Sequence, residues 1–223
     1  MKWKLSDVIQ VVRYLIGYCF LYPYLLGLVI DPEWCSSTMS IVIVSGMYII
    51  YFIVTIMLSL DTLKHAFDKF LEAPFKLLLK MIPLRIGMIL VVSFLSTLVT
   101  FVAGDVSPLN QESVTEGILA LPLMYIPLAT IFAPIVEEVV FREILYKKVN
   151  HRYLGILLSC GIFGLLHCLE GLMAGNWIEL LFVIVYGIQA YFLIMAYDET
   201  DSMAGSMVLH FLNNLLGCIV VFL

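Results

Sequence analysis

Charge is what this chain has least of. Asp, Glu, Lys and Arg make up 13% of its 223 residues, and the connections at 31–38, 105–117 and 171–177 contain no Lys or Arg. With 62% hydrophobic residues and a mean hydropathy of +1.05, the composition lies outside that of soluble domains and reads as an integral membrane protein. The formal net charge of -5 lacks the basic footprint of a nucleic-acid binder, so no nucleic-acid partner is expected. There is no CxxC or finger-like spacing among Cys19, Cys35, Cys160, Cys168 and Cys218, and four of the five lie in apolar segments, which argues for packing rather than a disulfide framework. HExxH, internal repeats and low-complexity tracts are absent as well. No small-residue cleavage site follows the apolar run at 8–30, which is too long for a signal peptide and reads as a retained first span.

What is present is a series of long apolar runs. A membrane span takes about 20 apolar residues, and seven stretches qualify: 8–30, 39–60, 83–104, 118–141, 153–170, 178–197 and 203–222. The expected fold class is all-α, a polytopic membrane bundle of about seven transmembrane helices plus one interfacial amphipathic helix. Residues 1–117 would hold spans one to three and that helix, and residues 118–223 the remaining spans. Lys2 and Lys4 precede span one, Lys64, Lys69, Lys76, Lys80 and Arg85 surround the connection to span three, and Arg142, Lys147, Lys148 and Arg152 follow span four. All fall on one side, which predicts a cytoplasmic N-terminus and an outside C-terminus. Arg13, inside span one, is expected to snorkel to that same side.

Between spans two and three, Leu63, Phe67, Phe70, Leu71, Phe75 and Leu78 recur at helical spacing against four lysines, the pattern of a helix lying on the membrane surface. Asp61 would cap it and Pro74 bend it. The loop at 105–117 and the acidic turn at 198–202 read as solvated. Pro122, Pro127 and Pro134 predict kinks in span four, and freed carbonyls there suit a polar chamber.

The stretch from Pro134 to Cys168 sets Glu137, Glu138, Arg142 and His167 in segments apolar enough for lipid. Ionisable groups in such surroundings mark function by default. Glu138 and Arg142 are four apart and share a helical face, where they can pair, whereas Glu137 is rotated by about 100° and is left to point elsewhere. A carboxylate in an apolar setting suits a general base acting on water. The bland reading is a buried ion-pair network of both acids with Arg142 and Lys147. Phe163 and His167 form another four-residue pair, as do His210 and Asn214. Glu137 and His210 each lie about 14–15 Å from the inner ends of their spans at helical rise, so their depths agree. Two histidines, an amide and a free carboxylate from three spans favour one site.

The motifs EEVVFR, FGLLH and HFLNN resemble the EExxxR, FxxxH and HxxxN signatures of the CPBP family, which groups CAAX prenyl proteases with bacteriocin-processing and immunity (Abi) proteins. The resemblance covers about residues 118–222. It implies that Glu137 and His167 activate a water for attack on a peptide carbonyl, that His210 and Asn214 stabilise the oxyanion, and that Glu138 and Arg142 support them. Family members are often described as metal-dependent, and Glu137, His167 and His210 are acceptable ligand types for a divalent metal such as zinc. The expected substrate is a peptide or lipidated protein met among membrane lipids. A non-catalytic immunity or peptide-binding protein on the same fold is the alternative, and a transporter would need a polar track that the outer half lacks. One residue departs from the family pattern: Glu143 follows EEVVFR where glycine is usual, and a pair with Lys147 four residues on is expected to accommodate it.

Overall fold

The computed structural model describes residues 3–21 and 37–223. It is helical, without strands among the described residues, and divides into two compact units, Lys2–Leu63 and Lys64–Leu223. Among the described residues five helices are long and apolar enough to cross a membrane, Met39–Leu58, Pro74–Ala103, Pro122–Lys147, Glu179–Thr200 and Met203–Val220, and Arg152–His167 is a shorter apolar helix. These match six of the seven expected spans. The expected first span, 8–30, lies partly outside the described residues.

In the smaller unit, α1 (Leu5–Val12) continues as a wide-turn helix over Arg13–Leu21, and α2 covers Ser37–Leu58. Arg13 is half-buried and engaged by the neighbouring helix. Its guanidinium turns inward, donating to the Tyr51 carbonyl at 3.1 Å, to Gln10 Oε1 at 2.9 Å and to Thr55 Oγ1, with Cζ 4.1 Å from the Tyr51 ring. Gln10 in turn donates to the Thr55 carbonyl at 3.1 Å and to Ser59 at 2.6 Å. Polar acceptors on a neighbouring helix take up both terminal nitrogens of the guanidinium, and in an apolar medium such bonds tie helices together.

The connection between spans two and three is two helices rather than one bent one. α3 spans Leu60–Glu72, with Asp61 inside its first turn rather than at its cap, and α4 spans Pro74–Ala103. Pro74 occupies the first turn of α4, where its missing N–H is no loss, so the expected bend becomes a new start. Span three therefore begins well before residue 83. Phe67, Leu71 and Phe75 are exposed, as a surface-lying apolar stripe requires.

The 105–117 segment is also more ordered than expected: α5 spans Leu109–Ala120. Its N-terminus is capped from a distance. Glu179, 0% exposed, accepts from the Leu109 amide at 2.8 Å and from the Cys168 thiol, supplying an oxygen to one of the orphan N–H groups of a first helical turn. Ser113 adds bonds of 3.2 and 3.3 Å to Glu170.

Span four is α6 (Pro122–Lys147), followed by α7 (Arg152–His167), a short α8 (Leu169–Met173), α9 (Glu179–Thr200) and α10 (Met203–Val220). Met81 and Met88 of α4 meet Leu193 and Ala196 of α9 and Leu209 of α10 in a closed apolar core. α7 and α9 cross so closely that a Cβ at Gly164 would collide with the Val183 carbonyl. The acidic turn at 198–202 is pinned rather than merely solvated. Tyr146 donates to both Asp198 oxygens at 2.7 and 2.8 Å, Arg152 reaches Asp198 at 2.8 Å, Lys147 reaches Asp201 at 2.7 Å and Lys80 reaches Glu199 at 3.0 Å. The Lys147 ammonium holds the Asp201 carboxyl below its ordinary range. Asp201 itself adopts a left-handed φ of 47°, a conformation that Asp tolerates in turns.

Candidate active site

The site begins with the backbone of α6, which alternates between ordinary and wide turns: Pro122–Pro127 and Ala133–Glu138 are α-helical, Leu128–Phe132 and Val139–Lys147 are π-helical. The expected kinks are thus absorbed as widened turns. At the first of them the Ala133 amide reaches back to the Leu128 carbonyl rather than to that of Ala129. Pro134, next in line, has no N–H to offer. The orphaned Ala129 carbonyl accepts instead from Asn214 Nδ2 of α10 at 2.8 Å, and Asn213 Nδ2 donates to Asn214 Oδ1 at 3.0 Å, fixing that amide's orientation.

The following turn of α6 carries both acids inward. Glu138 is 0% exposed and bridges two helices. Its Oε2 is 3.2 Å from Arg142 Nε, and its Oε1 is 2.9 Å from His210 Nδ1. The expected four-residue pair with Arg142 is present. The wider network with Lys147 is not, because Lys147 turns to Asp201. A carboxylate facing Nδ1 places a proton on that nitrogen, a tautomer assigned from the hydrogen-bond network, and leaves Nε2 to face the other acid. Glu137 is 7% exposed, with Oε2 3.8 Å from His210 Nε2 and no hydrogen-bond partner for that oxygen among the described residues.

His167 closes the cluster from α7. Its Nδ1 is 2.9 Å from the Phe163 carbonyl, which sets Nδ1 as donor and Nε2 as the nitrogen left for chemistry. Its ring stacks on Phe163 at 4.1 Å and packs against Tyr186 at 4.8 Å. Phe163 also meets His210 edge-on at 6.2 Å and Arg142 Cζ at 4.8 Å. His167 lies within electrostatic reach of Glu137, His210 and Arg142. The structure therefore brings Glu137, Glu138, Arg142, His167 and His210 together, with Asn214 one turn along α10 from His210.

Sequence reasoning overlooked four neighbours. Ser206 bonds to Glu138, and its place four residues before His210, on the face that carries Asn214, was a usable signal. Tyr186, Asn110 and Glu179 form an outer support: Asn110 reaches the Tyr186 hydroxyl, and Tyr186 packs on His167. Nothing local in the sequence links these residues. Glu143 accepts from the Tyr197 hydroxyl at 2.9 Å, so its partner lies across a helix interface and is not Lys147.

Among the described residues no three His, Cys, Asp or Glu are gathered closely enough to hold a metal ion. Nδ1 of each histidine is held, that of His210 by Glu138 and that of His167 by Phe163, and the Nε2 atoms that remain are not gathered with Glu137 closely enough to ligate one ion. The donor set as placed does not fit a metal.

Fold and site together define a class: a helical membrane protein with a buried carboxylate and histidine cluster in its C-terminal spans. Residues 119–216 match the family model described as type II CAAX prenyl endopeptidase, Rce1-like. The chain is 42% identical over 62 residues to "Putative membrane peptidase YdiL" of Bacillus subtilis (strain 168), covering 26% of this chain and 25% of that protein. It is 35% identical over 68 residues to an "Uncharacterized protein" of Mycoplasma capricolum subsp. capricolum, covering 30% of this chain and 20% of that one. The similarity thus spans a quarter or less of each relative's length. No solved structure gives a significant match. The matched segment contains every residue of the cluster, so the similarity to CAAX prenyl endopeptidases rests on the part of the chain that carries the site.

Proposed function

We propose that this protein is an intramembrane endopeptidase that hydrolyses a peptide bond in a peptide or prenylated protein. The observation that carries the reading is His210 held between two buried carboxylates, Nδ1 on Glu138 and Nε2 toward Glu137, with His167 stacked alongside. Glu137, its Oε2 unpartnered, takes a proton from a water lodged between it and His167 Nε2. The water oxygen attacks the peptide carbonyl carbon. The electron pair moves to the carbonyl oxygen, and a protonated His210 Nε2 and the second hydrogen of Asn214 Nδ2 are the donors that would hold that oxyanion. Collapse breaks the C–N bond, and the proton on Glu137 passes to the leaving amine.

Glu138 and Arg142 support the site by fixing the His210 ring. The basic residues gathered at 64–85 and 142–152 favour an N-terminus in the cytoplasm and a C-terminus outside, with membrane lipids around the apolar helix faces. The test is purified protein in liposomes with prenylated and unprenylated peptides, products read by mass spectrometry. Cleavage lost in both Glu137→Ala and His167→Ala supports the proposal. Binding without cleavage by the unaltered protein overturns it in favour of a peptide-binding role.

A further inference from the structure

The guanidinium of Arg142 has more donors than the protein around it has acceptors. The side chain is 0% exposed, and its Nη1 and Nη2 have no hydrogen-bond partner among the described residues. Glu138 meets Nε alone, off the hydrogen-bond axis, and its other oxygen is taken by His210. The Phe163 ring covers one face of the guanidinium at 4.8 Å but accepts nothing from its in-plane N–H groups. A buried charged donor left unpaired loses its hydration without replacement, which is among the more expensive arrangements a fold can hold.

A second unpaired group lies on the neighbouring helix. Ser159 is 0% exposed, and its hydroxyl likewise has no partner among the described residues. Gly155, Ser159 and Phe163 repeat every four residues along α7 and form one ridge. Antiparallel to them, α6 presents Tyr146, Arg142 and Glu138. The lower rung is fixed by Gly155, where a Cβ would stand 2.7 Å from the Tyr146 carbonyl oxygen, and the upper rung by Phe163 against Arg142. Ser159 therefore falls between these rungs, on the ridge that packs against the Arg142 side of α6, and Cys160 beside it lies within electrostatic reach of Arg142.

We infer that Arg142 and Ser159 enclose a closed hydration site, a pocket for one or two ordered waters between α6 and α7. Buried water typically makes about three hydrogen bonds to otherwise unsatisfied polar groups, and the two Nη groups with the Ser159 hydroxyl supply that set. An anion is a poor occupant, because Glu137 and Glu138 already give this neighbourhood negative charge. The tight Gly155 contact separates the pocket from the inner end of the hairpin. The water completes the guanidinium, the guanidinium holds Glu138, and Glu138 orients His210. The site depends on packing and hydrogen bonding alone and stands whether or not the chain cleaves peptides.

The full chain crystallised in a lipid mesophase, with bromide replacing chloride and at a resolution that orders solvent, tests this. A solvent peak within about 3.2 Å of both an Arg142 Nη and Ser159 Oγ, without an anomalous bromide signal, is the expected result. A bromide signal there overturns the assignment to water. A direct Arg142–Ser159 bond with no solvent peak, or an Nη satisfied by a main-chain carbonyl instead, overturns the site altogether.

Discussion

Asn214, on the last helix, donates to the main-chain carbonyl of Ala129, on span four, across 2.8 Å. The wide turn and Pro134 together orphan that carbonyl, so the amide mends a backbone defect as well as standing one turn from His210. The two roles separate by experiment. Asn214→Ala should lower stability by about 1 kcal/mol, the usual worth of a hydrogen bond, since it strands a half-buried acceptor. It should also lower kcat by about 100-fold or more if the second amide hydrogen serves the oxyanion. Thermal unfolding in detergent and cleavage kinetics check the two halves, and a purely structural amide would leave kcat of the folded fraction unchanged.

Glu143 stands where the family usually has glycine and finds its donor in Tyr197, 54 positions along the chain. Tyr197→Phe should therefore destabilise the protein by about 1–3 kcal/mol, since it strands a half-buried carboxylate. Lys147→Met should leave Glu143 undisturbed and loosen only the exposed contact to Asp201, worth about 1 kcal/mol or less. Equal losses in the two variants would restore the local pair with Lys147.

What could be read from the sequence was whatever local spacing determines. Six helices fell close to the apolar runs, Glu138 met Arg142 at the four-residue interval, and the three motifs converged because each occupies one face of one span. Long-range partners were not legible. Arg13 looked like a snorkelling residue, and its partners Tyr51 and Thr55 come from another helix, which no local spacing reveals. The 105–117 segment looked like a loop because its cap, Glu179, lies 70 residues from Leu109. Pro74 and Pro134 were read as bends. One begins a helix and the other is absorbed by a wide turn with help from α10, and proline alone does not decide between these outcomes.

Gly164 should tolerate no side chain, because a Cβ would enter the Val183 carbonyl on the facing helix. Gly164→Ala should force α7 and α9 apart and cost about 1–3 kcal/mol, as overpacking does. Because His167 follows Gly164 by one turn on α7, activity should fall more than the melting temperature alone accounts for. Parallel thermal and kinetic measurements check this.

Glu112, exposed on α5, is a probe of topology. With the basic residues on one face of the membrane, a cysteine introduced as Glu112→Cys should react with an impermeant maleimide added outside intact cells. Labelling only after the cells are opened would reverse the proposed orientation of both termini.

The adjacent acids should separate by kind of defect. Glu138 joins Arg142 to His210 at 0% exposure, so Glu138→Gln removes the charge from a buried pair and leaves Arg142 uncompensated, a change that typically destabilises by about 3–5 kcal/mol. It also releases the His210 ring, so activity should fall with stability, and a cleanly structural residue is not expected. Glu137 carries no such bond. Its Oε2 stands 3.8 Å from His210 Nε2 and has no hydrogen-bond partner among the described residues, so Glu137→Gln should melt near the unaltered protein. Its activity should nonetheless fall by about 100-fold or more, the usual contribution of a general base. Melting curves and single-turnover cleavage of the same preparations provide the comparison. A stable, active Glu137→Gln beside an unstable, inactive Glu138→Gln would move the base from Glu137 to Glu138 and make His210 the group that relays its proton.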